Sequence, residues 1–166
     1  MPREWSRADE AIERMAEGLI ANYHPELTAA RIMYTFISEA PAKGGQKLYG
    51  KVSKTSGFLE WILEQDFIVM ISGDLWGESA AHERTAILDH LLERCTGEEN
   101  EKDGSMVWKI REPDVQEFSS ILDRHGAWNT TLAGFISVAK KVDLSGFEDT
   151  GEQGVDLTVL ESTEEG

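Results

Sequence analysis

The segment DFIVMISGDLW, residues 66 to 76, is the feature that most constrains the fold of this chain. Its apolar residues follow one another directly, without the alternation with polar residues that marks a strand with one solvent-facing side. A continuous apolar run of this kind predicts a central strand that is buried on both faces. The remaining elements are therefore expected to lie around this strand.

The N-terminal region predicts a helix that ends before a proline. Ser6 and Asp9 resemble a capping box, and apolar residues then recur at helical spacing to about Asn22. His24 and Pro25 stop the helix, because a residue that precedes proline disfavours the α region. His24 is accordingly interpreted as a capping or turn residue.

A strand pair is expected between this helix and the central strand. Residues 30 to 37, ARIMYTFI, are rich in β-branched and aromatic side chains and predict a strand. The PAKGG turn follows, and KLYGKVSKT after it predicts the partner strand of a hairpin. After Gly57, the sequence FLEWILEQ is compatible with either a short helix or a strand.

The second half of the chain predicts three helices and one short strand. Ser79 is the expected N-cap of the helix in SAAHERTAILDHLLERC, and Cys95 at its end is interpreted as a small core residue. TGEENEKDG is expected to form a loop, and SMVWKIRE a short strand. Pro113 is expected to open a helix over DVQEFSSILDRHGAW that Gly126 ends, and TTLAGFISVAKK predicts the last helix.

This order of elements predicts an α+β fold, in which a three- to four-stranded, mainly antiparallel sheet packs against three to four helices. We expect one domain, residues 1 to 142, followed by a flexible acidic tail, residues 143 to 166. Within the tail, VDLTVL at residues 155 to 160 has the alternating apolar residues of a segment that adds a strand or docks.

The charge of the chain restricts its partners. The sequence carries 31 acidic and 16 basic residues, which gives a formal net charge of -15 at pH 7. Such a field repels nucleic acids and membrane surfaces and attracts basic protein surfaces. We therefore expect no direct binding of nucleic acid or membrane. The simpler interpretation, that the acidity only keeps the protein soluble, stays open at this point.

The cysteine content and the N-terminus indicate where the protein acts. Cys95 is the only cysteine, which excludes an internal disulfide and a cysteine-rich zinc site. The N-terminal residues MPREWSRADE carry early charges and no apolar segment, so we expect no secretory signal. No apolar run has the length of a transmembrane helix. The expected location is the cytoplasm.

The stretch AILDHLLERC, residues 86 to 95, resembles the metal-binding helix of a phage metallopeptidase family with a small zincin-like fold related to SprT-type domains. The resemblance covers most of residues 8 to 135 and includes YHPEL, DFIVMISGDLW, ERTAILDHLLERC and DVQEFSSILDRHGAW. In that family the helix reads DHELxH, in which two histidines four residues apart bind zinc and the glutamate activates water. A further histidine comes from just before a DVEEF-like segment.

Against this pattern, the chain keeps a single zinc ligand. His90 stands at the first ligand position, whereas Leu91 replaces the glutamate, Arg94 the second histidine and Pro113 the third ligand. Leucine cannot act as a base, proline has no side-chain ligand, and a guanidinium repels a dication. Catalytic zinc normally needs three protein ligands. The resemblance therefore implies a pseudoenzyme with no catalytic residue and no cofactor, in which Arg94 pairs with Asp114, Glu117 or another acid.

Zinc held by a non-standard ligand set is the alternative. His82 and Glu83 imitate the start of an HExxH motif, but Ala86 stands where the second histidine would be. His82 and His90 lie about 12 Å apart along a helix that rises 1.5 Å per residue, which is too far for one ion. The other residues that could contribute are Asp89, Glu93 and His125.

The predicted function is that of a phage- or prophage-encoded, catalytically inactive metallopeptidase-like protein that binds a host protein. Its charge favours inhibition of a host nucleic-acid-handling or defence complex through a basic effector, in the manner of an anti-CRISPR protein or DNA mimic. The alternatives are a zinc-dependent peptidase and a phage structural or assembly component that forms a homo-oligomer. The candidate binding carboxylates are Asp74, Glu78, Glu83, Glu98, Glu99, Glu101 and Asp103.

The tryptophans suggest further packing or binding positions. Trp76, Trp108 and Trp128 stand at predicted element boundaries, where packing against a neighbouring element is expected. Trp5 and Trp61 have no place in this pattern. Anchors for protein binding are the alternative role, because tryptophan is enriched at interface hot spots.

Overall fold

The computed structural model describes residues 2–145 of the chain. The described residues divide into two compact units, of which the first ends at Glu112 and the second begins at Pro113. The expected division into residues 1 to 142 and a flexible tail, residues 143 to 166, stays a prediction. The docking segment predicted at residues 155 to 160 lies outside the described residues.

The first unit combines helices and strands, which confirms the α+β prediction. Its elements are β1 (Trp5–Arg7), α1 (Glu10–Tyr23), a 3-10 helix (Pro25–Ala29), β2 (Ile32–Ile37), β3 (Ala42–Lys43), β4 (Gln46–Lys47), β5 (Gly50–Lys54), α2 (Gly57–Leu63), β6 (Phe67–Ser72), α3 (Gly73–Glu78), α4 (Ala81–Glu93), β7 (Cys95–Glu99) and β8 (Met106–Ile110). The second unit contains α5 (Ser119–His125) and α6 (Thr130–Ala139). Among the described residues, no helix is long and apolar enough to cross a membrane.

A four-stranded sheet in the order β1-β2-β6-β5 forms the centre of the first unit. Strands β1 and β2 are antiparallel, as are β5 and β6, whereas β2 and β6 are parallel. Helix α4 packs against β5 and β6, and α1 packs against α4. The predicted sheet of three to four mainly antiparallel strands is therefore confirmed.

Strand β6 is the central strand that the apolar run predicted, but only one of its faces is fully buried, so the predicted burial on both faces is incomplete. Phe67, Val69 and Ile71 are fully buried, and the two residues between them are half-buried. The strand ends at Ser72, so the predicted extension to Trp76 is wrong and the chain turns into α3 at Gly73. The Ser72 hydroxyl donates to the Leu48 carbonyl, and this contact holds the strand end against the segment before β5.

The hairpin predicted between β2 and KLYGKVSKT does not form. Strand β5 pairs with β6 instead, from Gly50 opposite Ile71 to Lys54 opposite Phe67. Both edges of β2 are already occupied, because β1 and β6 flank it. The turn at Gly44 and Gly45 closes only the small hairpin of β3 and β4, and both glycines have positive φ, as a tight turn requires.

The ends of α1 and α4 differ from the expected caps. Asp9, and not Ser6, caps α1, since its Oδ1 accepts from the Ile12 backbone N–H at 3.2 Å while Ser6 lies in β1. Helix α4 begins after Ala80, whose N–H donates to Glu83 Oε1 at 3.2 Å. Ser79 is not its N-cap, because the Ser79 hydroxyl donates to the Leu75 carbonyl of α3.

Strands β7 and β8 form an antiparallel hairpin after α4, so about half of the predicted loop TGEENEKDG is strand. Cys95 opens β7 and is fully buried, which confirms it as a small core residue although it lies outside the helix. Trp108 on β8 packs its ring against Phe67 in an edge-on arrangement, with 5.8 Å between ring centroids. The hairpin thereby closes the core over β6.

The second unit departs from the prediction at its start. The helix expected from Pro113 begins only at Ser119, because Glu117 fixes the preceding segment by accepting from the Phe118 N–H and the Trp128 indole N–H. Helix α5 ends before Gly126, which has a φ of 62° and confirms the predicted helix end. Helix α6 follows with Asn129 as its N-cap.

Candidate functional site

Helix α4 contains His90 and Leu91, at which the resemblance implies the first zinc ligand and the catalytic glutamate. His90 is exposed, whereas the next residue, Leu91, is 2% exposed and belongs to the core. The core face of α4 also contains Ile87, Leu88 and Leu92. A β-carbon on Gly50 would lie 2.8 Å from Leu91 Cδ1, so Leu91 fills the space beneath the start of β5. The glutamate position of the family pattern is therefore a packing position here.

Arg94 ends α4 at the position of the second histidine. Its Nη2 lies 3.2 Å from Glu112 Oε1, so the expected pairing with an acid is confirmed, with Glu112 as the partner in place of Asp114 or Glu117. The Arg94 backbone carbonyl accepts from the Arg111 N–H at 2.7 Å. Within the described residues, Arg94 Nε is buried and has no hydrogen-bond partner. Pro113, at the third ligand position, opens the second unit.

These residues do not fit a catalytic zinc ion. Only His90 of the four positions has a metal-binding side chain. Across residues 2–145, no three histidine, cysteine, aspartate or glutamate side chains are grouped so that they could hold a metal ion. His82 is exposed near the start of α4, and His125 lies in the second unit.

The buried His24, at the end of α1, contacts two carboxylates of α4. His24 caps the end of α1, as predicted, and its Nε2 lies 2.6 Å from Asp89 Oδ1. Its Nδ1 lies 3.5 Å from Glu93 Oε2, and Glu93 also pairs with Arg111. The two carboxylates are four residues apart on α4 and so share one helix face. This network joins α1, α4 and the end of β8.

Sequence reasoning missed the partners of His24. The spacing of Asp89 and Glu93 indicates a shared face, and the His-Pro pair indicates a helix end. Nothing local connects the two signals, because 65 residues separate His24 from Asp89.

An open groove lies beside His90. It has a volume of about 390 Å³ and is lined by Tyr49, Glu83, Ala86, Ile87 and His90. Its walls are mostly apolar, and Glu83 and His90 supply the ionisable groups. Tyr49 precedes β5, so the groove runs between the first residues of that strand and the exposed side of α4.

The seven candidate binding carboxylates fall into two groups. Glu98, Glu99, Glu101 and Asp103 are exposed and lie together at the tip of the hairpin formed by β7 and β8. The other three lie on α3 and α4, namely Asp74, Glu78 and Glu83. We call the first group the hairpin tip.

Several of these carboxylates form hydrogen bonds within the protein. Lys109 Nζ lies 2.9 Å from Glu98 Oε2, and this hydrogen bond lowers the pKa of Glu98. The hydroxyl and N–H of Ser105 donate to Asp103 and lower its pKa. Asp74 accepts from Lys47 Nζ at 3.1 Å and from two backbone N–H groups, so its role in the fold is structural.

The tryptophan predictions are confirmed at two positions. Trp76 meets the Phe36 ring edge-on at 5.9 Å and lies under the Arg84 guanidinium at 5.7 Å, and Trp108 is buried. The prediction for Trp128 is wrong, because its ring is exposed and only its indole N–H is bonded, to Glu117 at 3.2 Å. Trp5 and Trp61 are both exposed.

Comparison with known proteins gives one match. No curated protein and no solved structure matches the chain. The family model with the description Putative phage metallopeptidase matches residues 3–136, which is most of the sequence and includes the whole of α4. The chain therefore belongs to the phage metallopeptidase family.

Proposed function

We propose that this member of the family has lost zinc-dependent catalysis and acts by binding another protein. The observation that carries the proposal is the burial of Leu91, which is 2% exposed at the position of the family's glutamate. A carboxylate at this position would be removed from water without a partner, which is strongly unfavourable. The helix is therefore adapted to core packing at the point where an enzyme needs a base.

Arg94 supports the same proposal. Its guanidinium occupies the position of the second histidine and pairs with Glu112 at 3.2 Å. Guanidinium stays protonated in proteins, so it supplies a fixed positive charge and no lone pair to a metal ion. The pair with Glu112 connects the end of α4 to the end of β8, a connection that needs no metal.

The partner that suits this chain has a basic surface. The net charge is -15, and the hairpin tip groups four carboxylates at the end of β7 and on the turn that follows it. Lysines and arginines that hold nucleic-acid phosphates would also bind such carboxylates. We therefore propose a host nucleic-acid-handling or defence protein as the partner, with inhibition of the anti-CRISPR or DNA-mimic type as the outcome.

The test uses the partner that the full chain captures from host lysate, purified and titrated at several salt concentrations. We expect affinity to fall with rising salt, because exposed charge pairs are screened. Glu99→Lys with Glu101→Lys should weaken binding about 10-fold or more. The matched control, Glu17→Lys with Glu26→Lys, changes the net charge equally at exposed positions on other elements. Binding that is independent of salt and indifferent to the hairpin substitutions would contradict the proposal.

A zinc-dependent peptidase with a non-standard ligand set is the second candidate. The observation in its favour is the groove beside exposed His90, with Glu83 on its wall. Zinc content separates this candidate from the first. A phage structural or assembly component is the third candidate. It would form a homo-oligomer, and its mass in solution would exceed that of one chain.

A further inference from the structure

Helix α2 is an apolar helix without a buried residue. It reads GFLEWIL, and Phe58 and Trp61 are 71% and 76% exposed, respectively. Leu59 and Ile62 are more than half exposed as well. We call these four residues the α2 patch. A surface helix normally turns its apolar face to the core, and a contiguous exposed apolar patch marks an interaction site.

The two aromatic rings of the α2 patch support each other. Phe58 and Trp61 are three residues apart on the helix, and their ring centroids lie 6.1 Å apart with a tilt of 31°. Ile62 stands four residues after Phe58 and so shares the same side of the helix. Anchors at i, i+3 and i+4 are the pattern by which a helix enters an apolar groove of a partner. The side chains of the α2 patch are therefore preorganised for such a contact.

Carboxylates border the α2 patch. Glu60 lies within the helix, and Glu64 ends it in the left-handed conformation, with its N–H bonded to the Glu60 carbonyl at 2.9 Å. Neither carboxylate forms an ion pair with any residue in the described part of the chain. The nearby Arg31 pairs with Asp66, its Nη2 lying 3.0 Å from Asp66 Oδ1, and the charges of Glu60 and Glu64 act on it only over a longer distance.

The carboxylates beside the α2 patch indicate which kind of surface can bind it. A second copy in a twofold contact through the α2 patch would place two copies of both carboxylates in one interface with no basic residue of the patch to oppose them, and the like charges would disfavour it. An anionic membrane surface would repel both carboxylates and the net charge of -15. A protein groove with an apolar floor and a rim of lysine or arginine complements both parts of the surface.

We propose that α2 inserts the α2 patch into an apolar, basic-rimmed groove of the protein partner, with Trp61 as the central anchor. This inference rests on the proposed protein-binding function and names the surface that carries it. It is independent of the hairpin tip, which lies on a different pair of strands.

The experiment measures the affinity of the captured and purified partner for full-length variants. Trp61→Ala should weaken binding about 30-fold or more, as expected for a hot-spot tryptophan. Trp5→Ala is the matched control, since Trp5 is 63% exposed on β1, and it should change affinity less than about 3-fold. Glu60→Lys should also weaken binding and reduce its salt dependence. Thermal unfolding of Trp61→Ala should match the parent, because the α2 patch contributes nothing to the core.

The affinity of Trp61→Ala and the capture of a partner test the two proposals separately. Equal affinity of Trp61→Ala and the parent would overturn the inference and leave the binding function standing, because capture by the full chain tests that function. Capture of no partner would overturn both. A dimer in solution, or binding to vesicles of phosphatidylserine and phosphatidylcholine, that Trp61→Ala abolishes would overturn the assignment to a protein groove.

Discussion

The residue at position 91 determines whether α4 can supply the base that metallopeptidase chemistry needs. The side chain lies in the core beneath β5. Leu91→Glu should destabilise the protein by about 3 kcal/mol or more, because a carboxylate would be buried without a partner. Leu91→Met keeps the volume and should cost less than about 1.5 kcal/mol. Urea unfolding of the two variants measures both values.

The opposite outcome would contradict this account of Leu91. A Leu91→Glu variant as stable as the parent would mean that the position can open to solvent. If that variant also hydrolysed a casein substrate with added zinc, Arg94 and Pro113 would be compatible with catalysis, which would contradict the proposed loss of activity.

Cys95 makes the stability of the fold depend on pH in the alkaline range. Burial raises the pKa of its thiol to about 12 from the ordinary value of 9.0. The folded state thus keeps a proton that the unfolded state releases, so this contribution is complete below about pH 9 and is lost as the pH rises towards about 12. Burial raises the pKa of Tyr34 too, and this acts in the same direction.

The test of this pH dependence is the slope of unfolding free energy between pH 9 and pH 11. One proton corresponds to at most about 1.4 kcal/mol per pH unit. Cys95→Ala should flatten the slope by up to that amount, and Tyr34 should maintain part of it. Parallel curves for the two proteins would show that the thiol does not titrate as its burial requires.

At the scale of elements, the hairpin of β7 and β8 depends on one glycine. A β-carbon on Gly97 would lie closer than 3.0 Å to the Trp108 ring, which packs on Phe67 in the core. Gly97→Ala should therefore cost about 1 to 3 kcal/mol through overpacking. Gly77→Ala in α3 is the control, since nothing lies within 4 Å of its β-carbon position. That change should stabilise the protein by up to about 1 kcal/mol.

Thermal unfolding followed by near-UV circular dichroism reports both glycine variants. The Trp108 signal should change in Gly97→Ala and stay constant in Gly77→Ala. A Gly97→Ala variant with unchanged stability would indicate that Trp108 is free to move away from β7.

Elements whose signals are local were predicted well from the sequence. The apolar run of β6, the periodicity of α1 and α6 and the helix end at Gly126 all depend on neighbours in the chain. The pairing of β5 was predicted wrongly, because the choice between β2 and β6 is a contact between distant segments. The start of α5 was missed because Glu117 bonds the Trp128 indole, eleven residues later.

Part of the candidate site could be predicted from the sequence, and part required the structure. The departures from the expected ligand pattern at Leu91 and Arg94 were predicted from the sequence alone, since they concern residue types. The contact of His24 with Asp89 and Glu93 required the structure, because α1 and α4 meet only in the folded chain. The exposure of the α2 patch also required the structure, since a sequence of this apolar content is equally compatible with a buried helix.

For the whole molecule, we propose that the chain keeps the scaffold of its family while the positions of the family's chemistry take other roles. The family match spans residues 3–136, so the scaffold is retained over most of the chain. Function depends on sites and not on the fold that carries them. In the proposed binding function, the hairpin tip supplies exposed carboxylates and the α2 patch supplies an apolar anchor.

The zinc content of the untagged protein tests the central claim most directly. Protein purified from zinc-supplemented cells, without an affinity tag, is compared with the His90→Ala variant by elemental analysis. The account predicts far less than one zinc ion per chain in the parent and the same amount in the variant. One zinc ion per chain that His90→Ala removes would contradict the account and would indicate an active metallopeptidase.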